Sequence, residues 1–106
     1  MQILKFTRPL PHLILTGKKT STWRVNDTRG IKKGDKISFC YNNGKEFAQV
    51  ISTSVIEKQF KELTKKDLEG HEKYSSEQKK YAVFSKYYKY KVTPDSKVKI
   101  IKFKLL

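Results

Sequence analysis

The chain has few of the residues that build disulfides or metal sites. Its 106 residues include one cysteine, Cys40, and two histidines, His12 and His71. A single thiol cannot form an internal disulfide, and one cysteine with two separated histidines cannot assemble a zinc site of the usual spacing. Because Phe39 and Tyr41 flank Cys40, we expect a buried and unreactive thiol. We therefore expect no metal and no other cofactor.

Long apolar runs are also absent from the sequence. No stretch is apolar enough to cross a bilayer, and the N-terminus lacks the apolar core of a signal peptide. We therefore expect a cytoplasmic protein that makes no contact with a membrane. The length of the chain suits one modest hydrophobic core, which predicts a single domain over residues 1–106 and a monomer.

Acidic residues are scarce beside basic ones. Lys and Arg number 24 against 10 Asp and Glu, which gives a formal net charge of +14. Such a surplus attracts polyanions, nucleic acid foremost. The arginines are Arg8, Arg24 and Arg29; the other basic residues are lysines, which favour phosphate attraction over bidentate reading of bases. Nucleic acid is the expected partner, and a lysine-rich surface with no polyanion partner is the plainer alternative.

The most informative segment spans residues 17–25 (GKKTSTWRV) and has the composition of a turn followed by a strand. Successive strand side chains point to opposite faces. One face carries Thr20, Thr22 and Arg24. Trp23 on the other face requires a core, so the hydroxyls and the guanidinium line the opposite surface, with Lys19 at its mouth. Such a surface can hold an anion or a polarised carbonyl, although a solvated strand face gives the same pattern.

Periodicity and turn signals predict five strands and three short helical pieces. The predicted strands are 1–6, 20–25, 36–41, 46–56 and 98–105. The predicted helical pieces are 12–15, 64–70 and 75–90. Thr64 followed by Asp67 is the pattern of a helix cap, and an apolar phase switch between Ile100 and Ile101 predicts a β-bulge. The chain lacks the crossovers of a parallel sheet, which favours a small barrel.

Four blocks of the sequence together carry a family pattern. They are residues 14–24 (ILTGKKTSTWR), 33–35 (KGD), 63–72 (LTKKDLEGHE) and 98–103 (VKIIKF). In this order, over nearly the whole chain, they resemble the ASCH domains, small members of the PUA-like superfamily. The resemblance implies an α+β fold, a small PUA-like β-barrel of about five strands with flanking short helices. It also implies a cleft beside the Gly-Lys-Lys-Thr turn and a role around RNA or a modified nucleoside.

Some small ASCH proteins are amidohydrolases that remove the acyl group of N4-acetylcytidine, and ribonuclease activity also occurs in the family. In the amidohydrolases the catalytic group is a lysine, a threonine three residues later and a glutamate from a later helical segment. The resemblance gives these roles to Lys19, Thr22 and Glu72. A one-residue gap sets the last match, so Glu69 and His71 compete with Glu72 for the third role.

The residue types permit this chemistry without a metal. A threonine hydroxyl needs an adjacent base, and Lys19 could supply it if burial and the neighbouring cations Lys18 and Arg24 lower its pKa. Arg24 could stabilise an oxyanion, and Glu72 could pass the proton to the leaving amine or orient Lys19. Alternatively, Lys19 and Thr22 are a solvated lysine and an ordinary strand residue, and Arg24 forms an ion pair that closes the barrel, with Asp35 as a candidate partner.

Further residues are candidates for substrate or RNA binding. They are Lys18, Thr20, Arg24, His71 and Tyr87. Tyr87 belongs to a run of tyrosines interleaved with lysines between residues 74 and 91, a pattern typical of single-strand binding, whereas residues 81, 84 and 88 at helical spacing indicate packing. Three functions stay open: a metal-independent amidohydrolase with Thr22 as nucleophile and Lys19 as base, a non-catalytic RNA-binding module, and an ASCH-type ribonuclease.

Overall fold

A computed structural model describes residues 1–106 as one five-stranded sheet with short helices. The strands are β1 (Gln2–Phe6), β2 (Ser21–Val25), β3 (Lys36–Tyr41), β4 (Glu46–Gln59) and β5 (Lys97–Leu105). The helices are α1 (Leu10–Leu15), α2 (Lys65–Leu68) and α3 (Glu77–Tyr88), and a 3₁₀ turn spans Phe60–Glu62. The α+β class and the five strands are confirmed. None of the helices has the length and apolar character that crossing a bilayer requires.

The sheet is curled into a half-barrel with the strand order β1-β3-β4-β5-β2. β1 pairs with β3 in parallel, and the other neighbours are antiparallel. β1 and β2 are therefore the two edges, and no strand ladder joins them. The PUA-like barrel expected from the sequence is confirmed in its curled form, with a seam left between its first two strands.

The sheet is apolar on both faces, and β5 contributes to each. Val98 and Ile100 belong to one buried cluster, which includes Trp23. Ile101 and Phe103 belong to the other, which includes Leu4 and Phe39. Side chains along β5 therefore alternate regularly between the two faces of the sheet. The apolar phase switch arises because both faces of this strand are buried. The bulge predicted between Ile100 and Ile101 is wrong; the register shift lies on β4.

The bulge of β4 falls between Ser52 and Ser54, opposite Phe103 and Lys102 of β5. Ser52 is buried there: its hydroxyl donates to the carbonyl of Lys32 and accepts from the amide of Asp35. An extra residue in one strand lets the sheet bend sharply, which helps to curl it. The backbone of the turn that leads into β3 thus supplies hydrogen-bond partners for the buried hydroxyl of Ser52.

The helix ends follow their capping residues. Thr64 Oγ1 accepts from the amide of Asp67 at 3.3 Å, and Asp67 Oδ2 accepts from the amide of Thr64 at 2.9 Å, which confirms the predicted cap of α2. Ser76 caps α3 by accepting from the amide of Lys79 at 3.1 Å. The face of α3 with Tyr81, Phe84 and Tyr88 packs on the Trp23 cluster, so its helical spacing marks packing.

Candidate functional site

A cleft of about 290 Å³ lies at the seam between β1 and β2, and α3 forms one of its walls. Its lining consists of residues 5–10, 19, 22–24, 71, 72, 74, 83, 84, 87 and 88. We call it the seam cleft. It takes residues from β1 and the loop after it, from β2, from the segment between α2 and α3, and from α3. An open barrel edge therefore supplies the concavity on which the candidate site is built.

Two backbone contacts bring distant parts of the chain to the seam cleft. The carbonyl of Leu13 in α1 accepts from the amides of Lys18 and Lys19, which fixes the turn before β2. The carbonyl of Gly70 accepts from the amides of Thr20 and Ser21 at 2.9 and 3.1 Å. At Gly70, with φ +78°, a Cβ would lie 2.0 Å from Thr20 Oγ1. Only glycine allows this approach, which sets residues 71 and 72 beside Lys19.

Lys19 and Glu72 form an ion pair across this junction. Lys19 Nζ lies 2.6 Å from Glu72 Oε2, and the two side chains are 2% and 27% exposed. The pair is thus asymmetric, because the ammonium is buried while the carboxylate reaches water. Of the three candidates for the third role, Glu72 contacts Lys19, His71 lies next to it in the lining, and Glu69 is exposed outside the cleft.

Burial sets the proton affinity of Lys19. It lowers the pKa of Lys19 from its ordinary value, Glu72 opposes that shift, and Arg24 adds a smaller lowering. Lys18 is exposed and makes no contribution to the shift. Burial raises the pKa of Glu72, but His71 and the Lys19 ammonium outweigh it, so the pKa of Glu72 lies below its ordinary value. A lowered lysine pKa is a shift in the direction that a general base needs.

His71 lies between Trp23 and Glu72. Its ring stacks on the indole with centroids 3.9 Å apart and planes 18° apart. Nδ1 lies 3.0 Å from the carbonyl of Glu72 and 3.2 Å from Glu72 Oε2. Burial, followed by the charge of Lys19, lowers the pKa of His71 to about 4, so the imidazole is neutral at pH 7. A neutral ring packed flat on an indole acts as part of the aromatic wall.

Acidification is expected to destabilise the fold through His71. Its pKa is about 4 in the folded chain against an ordinary 6.5, so between these pH values only the unfolded chain takes up the proton. The free energy of unfolding then falls as the pH falls through this window, by about 2–3 kcal/mol between pH 7 and pH 4. Replacing His71 by phenylalanine preserves the stack and should remove this part of the pH dependence. Urea unfolding of the wild type and of His71→Phe at pH 7, 5.5 and 4 measures this difference. Equal falls in the free energy of unfolding of the two proteins would contradict the prediction.

Arg24 ties the two edges of the sheet together. Its guanidinium donates to Thr22 Oγ1, to the carbonyl of Trp23 and to the carbonyl of Lys5 in β1, each at 3.0 Å. It also lies 4.8 Å from the ring centroid of Phe6. Arg24 thus bridges the seam through a backbone carbonyl, and Asp35 takes no part, because it caps the turn at Lys32 instead. Thr22 Oγ1 accepts from Arg24, and no hydrogen bond joins Thr22 to Lys19.

The structure brings together most of the residues that the sequence singles out. Six of them line the seam cleft: Lys19, Thr22, Arg24, His71, Glu72 and Tyr87. Lys18 and Thr20 are exposed and lie outside the lining. The sequence singled out neither Arg8 nor the carbonyl of Lys5, and it indicated Tyr74 only as a member of the tyrosine run. Arg8 was open to discovery as one of only three arginines, whereas the position of Tyr74 depends on how the loop before α3 folds back. No group of three or more His, Cys, Asp or Glu side chains is arranged to hold a metal ion.

Known structures share this architecture at low sequence identity. No protein-family model and no curated protein sequence matches the chain. Protein EF3133 from Enterococcus faecalis V583, of family DUF984, superposes with a TM-score of 0.75 at 15% identity, over 92% of this chain and 69% of that one. Hypothetical protein PH0355 superposes with a TM-score of 0.74 at 24% identity, over 99% of this chain and 98% of that one.

A third structure carries the family name that the sequence suggests. The ASCH domain from Lactobacillus crispatus JV V101 superposes with a TM-score of 0.68 at 16% identity, over 90% of this chain and 69% of that domain. Identities of this size establish a shared fold. The chain therefore has the fold of an ASCH domain, which confirms at the level of the fold the resemblance that its sequence carries.

Proposed function

We propose that the seam cleft binds the base of a nucleoside or of RNA and hydrolyses the acyl amide of N4-acetylcytidine. The observation that carries this proposal is the 2.6 Å contact between Lys19 Nζ and Glu72 Oε2 in a cleft that Thr22 also lines. Lysine, threonine and glutamate are the residue types that the ASCH amidohydrolases use. Here they converge from positions 19, 22 and 72.

The walls of the seam cleft suit a planar, polar ring. Aromatic side chains from four parts of the chain line it, namely Phe6, Trp23, Tyr74, Phe84, Tyr87 and Tyr88. Bases stack on such faces whatever their identity. A volume of about 290 Å³ lies at the lower end of small-molecule pockets, which suits one base with its sugar. The net charge of +14 favours the approach of a phosphate-bearing ligand.

The proposed reaction uses the two states of the Lys19–Glu72 pair. When the shared proton sits on Glu72, Lys19 is an amine that can accept the hydroxyl proton of Thr22. Thr22 Oγ then bonds to the acyl carbon, the bond from that carbon to N4 breaks, and the Glu72 acid protonates the leaving amine. Water next attacks the acyl carbon of the acyl-threonine and gives a proton to the Glu72 carboxylate. The bond from that carbon to Thr22 Oγ breaks, Thr22 Oγ takes back the proton held by Lys19, and acetic acid leaves and ionises to acetate. Arg24, already bonded to Thr22 Oγ1, is near the oxygen on which negative charge develops.

A non-catalytic role for the same cleft is the second candidate. The observation that favours it is the hydrogen bond from Arg24 to Thr22 Oγ1, with no bond from Thr22 to Lys19. A nucleophile should contact its base in the reacting complex, although such contacts often form only when substrate binds. In this role Lys19 and Glu72 recognise the edge of a base, and binding weakens with salt because each phosphate contact releases counterions.

A fluorescence titration tests base binding directly. Trp23 is the only tryptophan of the chain and forms part of the cleft wall. Adding cytidine, the product of the proposed reaction, should change the indole emission saturably, because the base displaces water beside the stacked rings. Adenosine and free ribose serve as comparison ligands. An emission that stays constant up to millimolar cytidine would contradict binding in the seam cleft.

A further inference from the structure

A second hollow, of about 580 Å³, adjoins the seam cleft. It is lined by Phe6, Arg8, Tyr41, Asn42, Asn43 and Lys45, and we call it the hairpin hollow because the turn between β3 and β4 forms its floor. Phe6 and Arg8 line the seam cleft as well. The two hollows therefore share a wall and lie side by side at the end of β1.

The polar groups of the hairpin hollow are free to bind a ligand. The Arg8 guanidinium lies 5.8 Å from the ring centroid of Tyr41 and makes no hydrogen bond or ion pair. The amine of Lys45 and the amide of Asn42 also have no partner within the chain. Asn43 is different, because its Oδ1 accepts from the amide of Lys45 at 2.9 Å and so holds the turn in shape. An ordered turn thus presents two cations beside an aromatic face.

The charge along both hollows has one sign. Glu72 is the only acidic residue in either lining, and Lys19 neutralises it. The cations that remain are Lys5, Arg8 and Lys45, together with Arg24 at the seam. Tyr41 is half-buried and packs on Phe47. Arginine and lysine beside an aromatic ring are the groups that bind phosphate and base in proteins that hold single-stranded nucleic acid.

We propose that the hairpin hollow binds the nucleotide adjoining the base held in the seam cleft, so that single-stranded RNA binds more tightly than a free nucleoside. This inference rests on the proposed function of the seam cleft. Arg8, on the shared wall, contacts the phosphate that links the two nucleotides. Tyr41 stacks with the second base, and Lys45 contacts the next phosphate. Stacking tolerates any base, so the seam cleft and the hairpin hollow together bind RNA with little sequence preference.

Four ligands and two variants test this proposal. The ligands are cytidine, its 5′-monophosphate, its 3′-monophosphate and the pentanucleotide UUCUU. Trp23 emission follows binding of cytidine and the monophosphates, and the anisotropy of labelled RNA follows binding of the pentanucleotide. The variant is Lys45→Glu, and Lys36→Glu is its control. Lys36 is an exposed lysine at the other end of β3 from Tyr41, about 17 Å away at 3.4 Å per residue. The two variants change the net charge equally.

The pentanucleotide is expected to bind at least about tenfold more tightly than cytidine, because it adds phosphate contacts and a second stacked base. Lys45→Glu should weaken the pentanucleotide about fivefold and lower the slope of log affinity against log salt by about 0.7, the value of one single-strand phosphate contact. It should leave cytidine binding unchanged. Lys36→Glu should change the affinity for the pentanucleotide less than twofold.

Several results would overturn this proposal and leave the function proposed for the seam cleft intact. One is an equal affinity of the protein for cytidine and for the pentanucleotide. Another is an equal loss of affinity for the pentanucleotide in Lys45→Glu and Lys36→Glu. If a cytidine monophosphate bound as tightly as the pentanucleotide, the hairpin hollow would be a site for a terminal phosphate, and binding of a longer RNA would be contradicted. A different result would be that cytidine does not bind, while the pentanucleotide binds and Lys45→Glu weakens it. This result would support the hairpin hollow as an RNA site and contradict the function proposed for the seam cleft.

Discussion

Replacement of Lys19 by methionine is expected to lower the rate of N4-acetylcytidine hydrolysis by about 10³-fold, the usual contribution of a positioned general base. The fold should survive. Lys19 is 2% exposed, so a side chain of similar length without charge fits its site, while Glu72 can turn toward water. Measuring kcat/KM together with thermal unfolding separates the two effects.

Lys36→Met is the matched control for this variant, because it removes an exposed lysine at a distance from the seam cleft. It should keep wild-type activity. If Lys19→Met remained folded and retained more than a tenth of the wild-type rate, Lys19 would not be the base. Binding of cytidine by an inactive but folded Lys19→Met protein would assign the loss to the chemical step rather than to recognition.

Glu72→Gln is expected to destabilise the protein by about 3 kcal/mol at pH 7, far more than Lys19→Met does. The two variants break the same ion pair but leave different partners behind. Glutamine leaves a buried ammonium with no counter-charge, whereas methionine leaves a carboxylate that reaches solvent. Urea unfolding with a fitted slope gives both free energies.

The double variant Lys19→Met/Glu72→Gln makes this comparison decisive. Without the ammonium, the glutamine has no buried charge beside it, so the stability should return to within about 1 kcal/mol of the wild type. Losses that simply add in the double variant would show that Glu72 stabilises the fold through some contact other than Lys19. Equal losses in the two single variants would contradict the asymmetry in burial.

Local signals in the sequence predicted much of the fold. The strand at 36–41 and the cap at Thr64 are found as expected, because each depends on residues close in the chain. β4 runs to Gln59, three residues beyond its predicted end at Ile56. Its last residues pair with Lys97–Lys99 of β5 and need no apolar pattern of their own. The seam between β1 and β2 depends on long-range pairing, which no local pattern reveals.

The candidate site was only partly readable from the sequence for the same reason. Lys19, Thr22 and Arg24 belong to one short segment whose alternation predicts a shared surface. The third residue lies 53 positions from Lys19, and its place follows from two hydrogen bonds to the carbonyl of Gly70. The sequence shows Gly70 next to a histidine and a glutamate. It does not show that Thr20 approaches Gly70 so closely that no other residue fits there. Cytoplasmic location, a monomeric state and an RNA partner stay predictions.

Release of cytidine from N4-acetylcytidine, followed by chromatography without added metal, tests the central claim most directly. The wild type should release cytidine and acetate in equal amounts. Thr22→Ala, which removes the proposed nucleophile, should release none while remaining folded. Thr53→Ala, which removes an exposed hydroxyl of β4, should behave as the wild type. No release by a folded wild type that binds cytidine, or equal release by Thr22→Ala, would contradict hydrolysis by Thr22 and leave the seam cleft as a site of recognition.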